Sequence, residues 1–291
     1  MKTLTKTSGC KVNLLLNILG KRADGFHDLE TVMHPVPLFD ELDFTASGTG
    51  VQLTCDHPGL PCDGTNLIVK AATAFFAAIG IAPGVRINLR KRIPMEAGLG
   101  GGSANAATTL LGLNELHGNP RSAAQLQMIA AALGSDVPFF LQTSPALATG
   151  RGERVEPLLP FPALNNRTLV IVHPGFGIST PWAYRMLARF PAALNGQCGR
   201  AARLIHALQS PTPSVAWASQ LYNSLEAPAF WKHPVLQLYI EEFKAQSALA
   251  AMMSGSGSTI FAWFGNRANA DRGLEGFRSR FGERLWTAVL P

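Results

Sequence analysis

Pro94-Met95-Glu96-Ala97-Gly98-Leu99-Gly100-Gly101-Gly102-Ser103-Ala104-Asn105-Ala106-Ala107-Thr108-Thr109-Leu110 puts four glycines into the five positions 98–102 and then turns alanine-rich. Glycine takes positive φ and lets a ligand approach the main chain closely. The alanine-rich part favours helix. The first turn of a helix presents unpaired N–H groups and the positive end of the helix dipole. Together these features make an anion cradle, most often a phosphate cradle. The plain alternative, a surface loop without a ligand, leaves the folding entropy of four glycines unexplained. Upstream, Val85-Arg86-Ile87-Asn88-Leu89-Arg90 alternates and predicts a half-buried strand feeding the loop. Downstream, the helix runs to about His117 and stops at Gly118-Asn119-Pro120.

The rest of the chain is ordered around that loop. Lys11-Val12-Asn13-Leu14 alternates as a strand, which puts Lys11 and Asn13 on one face. Asp24-Gly25 marks a turn. Residues 40–45 and 51–55 alternate and read as antiparallel strands. A helix follows over 66–79, stopped by Gly80, and another begins at Ser122, where Gln125 completes a capping box. Prolines at 157, 160 and 162 suggest a boundary near 155–166. Thr168-Leu169-Val170-Ile171-Val172 is a continuous apolar run suited to a central strand. Helical segments are expected near 181–190, 198–209, 234–246 and 268–281. Met252 to Thr259 is a second Gly/Ser-rich turn, entering the strand Ile260-Phe261-Ala262-Trp263-Phe264. The class is α+β.

Of 291 residues, 47% are hydrophobic and 15% charged, which suits a packed chain and not a disordered one. The net charge of +6 suits a polyphosphate ligand. Basic residues are scattered, with Arg90-Lys91-Arg92 the longest cluster, so no nucleic-acid partner is expected. The four cysteines lack CxxC spacing and read as thiols in a reducing compartment. The opening Met1–Thr7 has no apolar signal core, and no run approaches the ~20 apolar residues of a membrane span. The expectation is a cytoplasmic protein without membrane contact, a monomer or weak dimer.

Two common phosphate loops are excluded. Walker A ends in Gly-Lys-Ser/Thr, a triplet absent from this chain. The dinucleotide fingerprint needs Gly or Ala where Gly98-Leu99-Gly100-Gly101-Gly102-Ser103 has Ser103, and it needs a buried parallel strand before it. The loop instead resembles the ATP loop of the GHMP kinases. Lys11-Val12-Asn13-Leu14, Arg22-Ala23-Asp24-Gly25-Phe26-His27, Gly134-Ser135-Asp136-Val137-Pro138, His173-Pro174-Gly175 and Met253-Ser254-Gly255-Ser256-Gly257 are similar, in order, to the signatures of one branch of that superfamily. That branch phosphorylates cytidylated methylerythritol on its 2-hydroxyl. Two departures stand out. Glu96-Ala97 replace two glycines, which stiffens the loop entry and brings an acid near the nucleotide. Phe26 stands where the family usually has Tyr.

The resemblance implies a two-domain GHMP kinase fold. Residues 1–158 form a ribosomal S5 domain 2-like, ATP-binding part and 159–291 a ferredoxin-like part, with the active site in the cleft between them. It implies ATP and Mg²⁺ as cofactors, without a metal ligand set from the protein. ATP would lie on Pro94, Met95, Glu96, Ala97, Gly98, Leu99, Gly100, Gly101, Gly102, Ser103 and Ala104, with Asn66 as a further contact or a plain N-cap. Asp136 would be the base for the acceptor hydroxyl, although Asp before Val-Pro also suits a helix cap. Lys11 would partner it, or else be a solvated edge lysine. Asn13, Phe26, His27, Thr180 and Tyr184 would bind the acceptor, with cytosine stacked between Phe26 and Tyr184 and hydrogen-bonded by His27. Phe26 as a core aromatic and His27 as a surface histidine are the alternatives. Two other functions stay open: another small-alcohol kinase of the homoserine or mevalonate type, and a nucleotide-binding protein without catalysis.

Overall fold

The strands and helices fall where alternation, caps and glycine stops place them. The computed structural model describes residues 3–210 and 214–291. The first half contains β1 (Thr3–Lys21), β2 (His27–Ala46), β3 (Gly50–Cys55), α1 (Leu67–Ile79), β4 (Gly84–Arg90), α2 (Gly101–Leu116), α3 (Ala123–Leu133), β5 (Ala146–Gly150) and β6 (Arg154–Pro157). The second half contains β7 (Thr168–His173), α4 (Thr180–Met186), α5 (Pro191–Leu194), α6 (Arg200–Gln209), β8 (Tyr222–Asn223), α7 (Glu226–Lys232), α8 (Val235–Ala245), β9 (Ala250–Met253), β10 (Ile260–Phe264), α9 (Arg267–Phe281) and β11 (Trp286–Leu290).

The chain forms two compact units that are not consecutive in sequence. The first comprises 1–10, 37–95 and 100–143; the second comprises 11–36, 96–99 and 144–291. β1 and β2 pass from one unit into the other, and so does the Gly-rich loop.

In the first unit β4 pairs antiparallel with β2 from Glu41↔Arg90 to Ala46↔Val85. Its other edge pairs with β3, and that pairing is parallel, from Gly50↔Gly84 to Cys55↔Leu89. The expected antiparallel β3 is corrected here. Alternation fixes which face of a strand is buried and leaves its partner's direction open. The connection through α1 is long enough for the crossover that parallel pairing needs. Asn66 caps α1 by accepting from Ile68 N, and Gly80 ends it at φ +73°. The Ser122–Gln125 capping box starts α3. Phe44, Phe75, Phe76, Ile87, Leu110 and Leu113 fill the core between strands and helices. At Gly112 a β-carbon would sit 2.7 Å from the Phe44 ring, so α2 needs glycine to lie this close to β2.

In the second unit four antiparallel strands run in the order β11-β7-β10-β9. Every residue of β7 is buried, as its unbroken apolar run requires. Phe243 and Phe277 stack 4.7 Å apart from α8 and α9. In the same unit β5 pairs with β2 from Leu29↔Gly150 to Met33↔Ala146. The two-residue β8 pairs in parallel with β1 at Leu15↔Tyr222 and Leu16↔Asn223.

Candidate active site

The first unit supplies the helix end of the loop. Gly100 stands at the N-cap of α2 with φ +71°, so the chain turns left-handed as it enters the helix. The N–H groups of Gly101, Gly102 and Ser103 lie in the first turn, where no helical acceptor exists for them. A side chain at Gly102 would meet only Leu67, at 3.9 Å, and Gly102 has ordinary φ. That is an ordinary contact, so packing within the protein does not demand glycine at 102.

This helix end is braced from below by Asp40, a carboxylate with no exposed surface. Asp40 accepts from Lys91 Nζ at 2.5 Å, Arg92 N at 2.7 Å, Ile93 N at 2.9 Å and Asn105 Nδ2 at 2.9 Å. Asn105 Nδ2 also donates to Ser8 Oγ at 3.0 Å. The basic cluster at 90–92 is thus neutralised within its own unit. Arg90 pairs with Glu41 and Asp43, Lys91 with Asp40, and Arg92 with Asp56. Asn66 has both ends of its amide engaged, Oδ1 by Ile68 N and Nδ2 by Pro61 O. Asp136 lies half-buried in the turn after α3. Val137 occupies the N-cap of the 3₁₀ turn that follows it.

The second unit supplies the loop entry and the Lys11–Asn13 pair of β1. Lys11 and Asn13 are 3% and 4% exposed, which removes the solvated-lysine reading. Lys11 Nζ donates to Asn13 Oδ1 and, at 3.0 Å, to Gly98 O, while Lys11 N donates to Leu99 O at 3.0 Å. Asn13 Nδ2 donates to Thr31 Oγ1 at 2.8 Å, which orients the Asn13 amide. The Gly/Ser-rich turn docks on the same loop: Ser254 Oγ donates to Gly98 O at 2.9 Å and Thr259 N to Ala97 O at 3.3 Å. Gly98 has φ +73°, and a β-carbon there would lie 2.1 Å from Ser254 O. Glycine is therefore obligatory at 98 for the protein's own packing. Glu96 takes a left-handed φ of +51°, a conformation that glycine adopts without strain. A β-carbon on Gly177 would lie 2.5 Å from Glu96 Oε2, so the acid covers Gly177.

Phe26 is 54% exposed, which excludes the core reading. A turn closed by Arg22 N donating to Phe26 O holds it up, and Arg22 pairs with Asp24 and Asp28. The Arg151 guanidinium covers one face of the ring, 4.7 Å from its centroid. Sequence reasoning missed Arg151, whose neighbourhood read only as a strand and turn. His27 and Tyr184 lie side by side, ring centroids 5.2 Å apart. Burial and the Lys21 charge lower the His27 pKa, which favours the neutral imidazole. Thr180 and Ser256 hydroxyls share a 2.7 Å hydrogen bond. Asn223 and Glu226, also missed, hold the main chain of Met253 and Gly255.

The first unit thus holds a glycine-rich helix entry braced by a buried acid and the second a buried Lys–Asn pair on β1, in a protein of the α+β class. The GHMP kinases N terminal domain profile matches residues 66–144, and the GHMP kinases C terminal profile matches 192–283. A protein of Syntrophus aciditrophicus named 4-diphosphocytidyl-2-C-methyl-D-erythritol kinase is 41% identical over 264 residues, 90% of each chain. A crystal structure of 4-(cytidine 5'-diphospho)-2C-methyl-D-erythritol kinase superposes with a TM-score of 0.79 at 34% identity, covering 99% of both chains. Homoserine kinase from Cytophaga hutchinsonii shares the fold, with a TM-score of 0.75 at 19% identity over 99% of this chain and 94% of that one. The chain belongs to the GHMP kinases, in the 4-diphosphocytidyl-2-C-methyl-D-erythritol kinase family.

Proposed function

We propose that the protein transfers the γ-phosphoryl group of ATP to the 2-hydroxyl of 4-diphosphocytidyl-2-C-methyl-D-erythritol, giving the 2-phosphate and ADP in the non-mevalonate route to isoprenoid precursors. The observation that carries the nucleotide half is the α2 N-terminus, where Gly100 caps the helix at φ +71° with no side-chain cap bond and the N–H groups of Gly101, Gly102 and Ser103 face no helical acceptor. Phosphoryl transfer is chiefly positioning and charge stabilisation. The α2 N-terminus cradles phosphate oxygens and contributes up to ~2 kcal/mol through its dipole. Lys11, desolvated on β1, stabilises the charge on the transferring group. Asn13 orients the acceptor. Asp136 takes the hydroxyl proton, a role that supplies about 10²–10⁴-fold in rate.

Among the described residues no three His, Cys, Asp or Glu side chains gather as a metal cage. Mg²⁺ bound with ATP would supply charge neutralisation at the phosphates, without a ligand set from the protein. The cytosine stacks on the exposed Phe26, neutral His27 hydrogen-bonds its edge, and Tyr184 and Thr180 complete the acceptor contacts. No described helix is long and apolar enough to cross a membrane. None of the four cysteines is in a disulfide, which fits a cytoplasmic enzyme. We take it to act as a monomer or weak dimer on its small-molecule substrate, without nucleic acid. The homoserine kinase likeness, at 19% identity, speaks for the fold alone.

The test is Asp136→Asn in an ADP-release assay. A kcat loss of at least about 10²-fold with KM little changed is expected. Retention of most of the kcat sinks the assignment of the base.

A further inference from the structure

Met253 is the last residue of β9, an edge strand of the antiparallel sheet. Its neighbour Ser254 donates into the ladder, to Thr259 O at 2.9 Å. Residues alternate along an antiparallel pair, so Met253 turns its N–H and C=O away from the ladder. Both groups are met by side chains from one short stretch. Glu226 Oε1 accepts from Met253 N at 2.9 Å. Asn223 Nδ2 donates to Met253 O and to Gly255 O, each at 2.8 Å, and Asn223 Oδ1 accepts from Leu225 N at 2.9 Å.

That stretch is itself fixed to β1. β8 pairs with Leu15 and Leu16, Ser224 N donates to Leu16 O at 2.8 Å, and Ile18 N donates to Ser224 Oγ at 3.0 Å. A line of hydrogen bonds therefore runs from the strand of Lys11 and Asn13, through Asn223 and Glu226, to the turn that grips Gly98. Asn223 is 3% exposed and its amide is spent on this turn and its own cap. Met253 has no exposed surface, so without these side chains its N–H and C=O would have no water to serve them.

We propose that Asn223 and Glu226 are positioning residues, which hold the Met253–Gly257 turn against Gly98 so that the ATP loop is set before the nucleotide arrives. The inference rests on the ATP-dependent kinase reading. Asn223 acts through two neutral bonds to main-chain oxygens, and Glu226 through one bond to a main-chain N–H. Glu226 lines a cavity of about 770 Å³ together with Lys244 and Glu241, the charged groups that face it from α8. Burial pushes the Glu226 carboxyl up to about 7, against the opposing pull of the Met253 N–H and the Lys244 charge. An ionised carboxylate is the stronger acceptor, so this hold on the turn tightens as pH rises through 7.

The experiment is Mg–ATP binding to the full chain, measured by titration between pH 6 and 8 without any acceptor. Asn223→Ala is expected to weaken binding about tenfold, since a loop set only part of the time binds with proportionally lower affinity. Glu226→Gln keeps the shape and an acceptor but no titration. Its affinity relative to wild type is expected to be near one at pH 6 and to fall as pH rises to 8. Equal affinity of Asn223→Ala and wild type overturns the inference. So does a Glu226→Gln to wild-type ratio that is flat across that range, and this isosteric variant remains informative where Asn223→Ala does not fold. Failure of the wild type itself to bind Mg–ATP overturns the kinase reading instead.

Discussion

Two segments of the Gly-rich loop are held by different chemistry. The helix end, Gly100 onward, rests on Asp40, a fully buried carboxylate paired with a buried lysine and three neutral donors. The entry, 96–99, rests on main-chain carbonyls, hydroxyls and amide side chains, with Lys11 the charged donor to Gly98 O. Breaking a buried ion pair by removing one partner costs about 3–5 kcal/mol, whereas a neutral hydrogen bond contributes about 0.5–1.5 kcal/mol. The first arrangement makes a fixed floor under the start of α2. The second is a set of modest contacts that substitutions and pH can adjust.

Asp40→Ala should do the most damage to this contrast. It leaves the Lys91 charge buried and the Arg92 and Ile93 N–H groups without this acceptor, so a loss of about 3–5 kcal/mol is expected in denaturant unfolding. Lys91→Met should cost less, because the three neutral donors still serve the carboxylate. A larger loss for Lys91→Met than for Asp40→Ala contradicts the picture of Asp40 as the hub.

Gly98→Ala strikes the second arrangement. A left-handed alanine costs about 1–2 kcal/mol, and the added carbon meets Ser254 O at 2.1 Å. Overpacking of this kind adds about 1–3 kcal/mol. KM for ATP is expected to rise at least about tenfold while the unfolding midpoint falls less than for Asp40→Ala. Unchanged ATP kinetics would show that the docked turn is not part of the nucleotide site.

Phe26→Ala is the smallest change, at an exposed ring with Arg151 over one face. Stacking on a base is worth about 1–3 kcal/mol, so KM for the acceptor should rise about tenfold or more with KM for ATP nearly constant. Equal effects on the two would argue against a cytidine pocket.

The legible parts of this site were those with a period or a backbone demand. The two-residue period put Lys11 and Asn13 on one face, and they touch. Four clustered glycines marked the loop, but not that Gly98 is crowded by the protein's own backbone while Gly102 would meet only an ordinary contact with Leu67. Asp40 was not legible. It opens an alternating acidic strand, and its partners lie more than 50 positions away. Asn223 and Glu226 sit between a two-residue strand and a seven-residue helix, too short for any periodicity to show. The direction of β3 was lost for a related reason, since alternation records burial and not pairing. Arg151 was hidden because a guanidinium over a ring is a tertiary contact that leaves no spacing in the chain.

The most direct test of the whole account is ADP release from wild-type protein with Mg–ATP and one acceptor at a time: 4-diphosphocytidyl-2-C-methyl-D-erythritol, homoserine and mevalonate. Turnover with the cytidylated acceptor alone is the predicted result. Turnover with homoserine or mevalonate instead, or with none of the three, would contradict it.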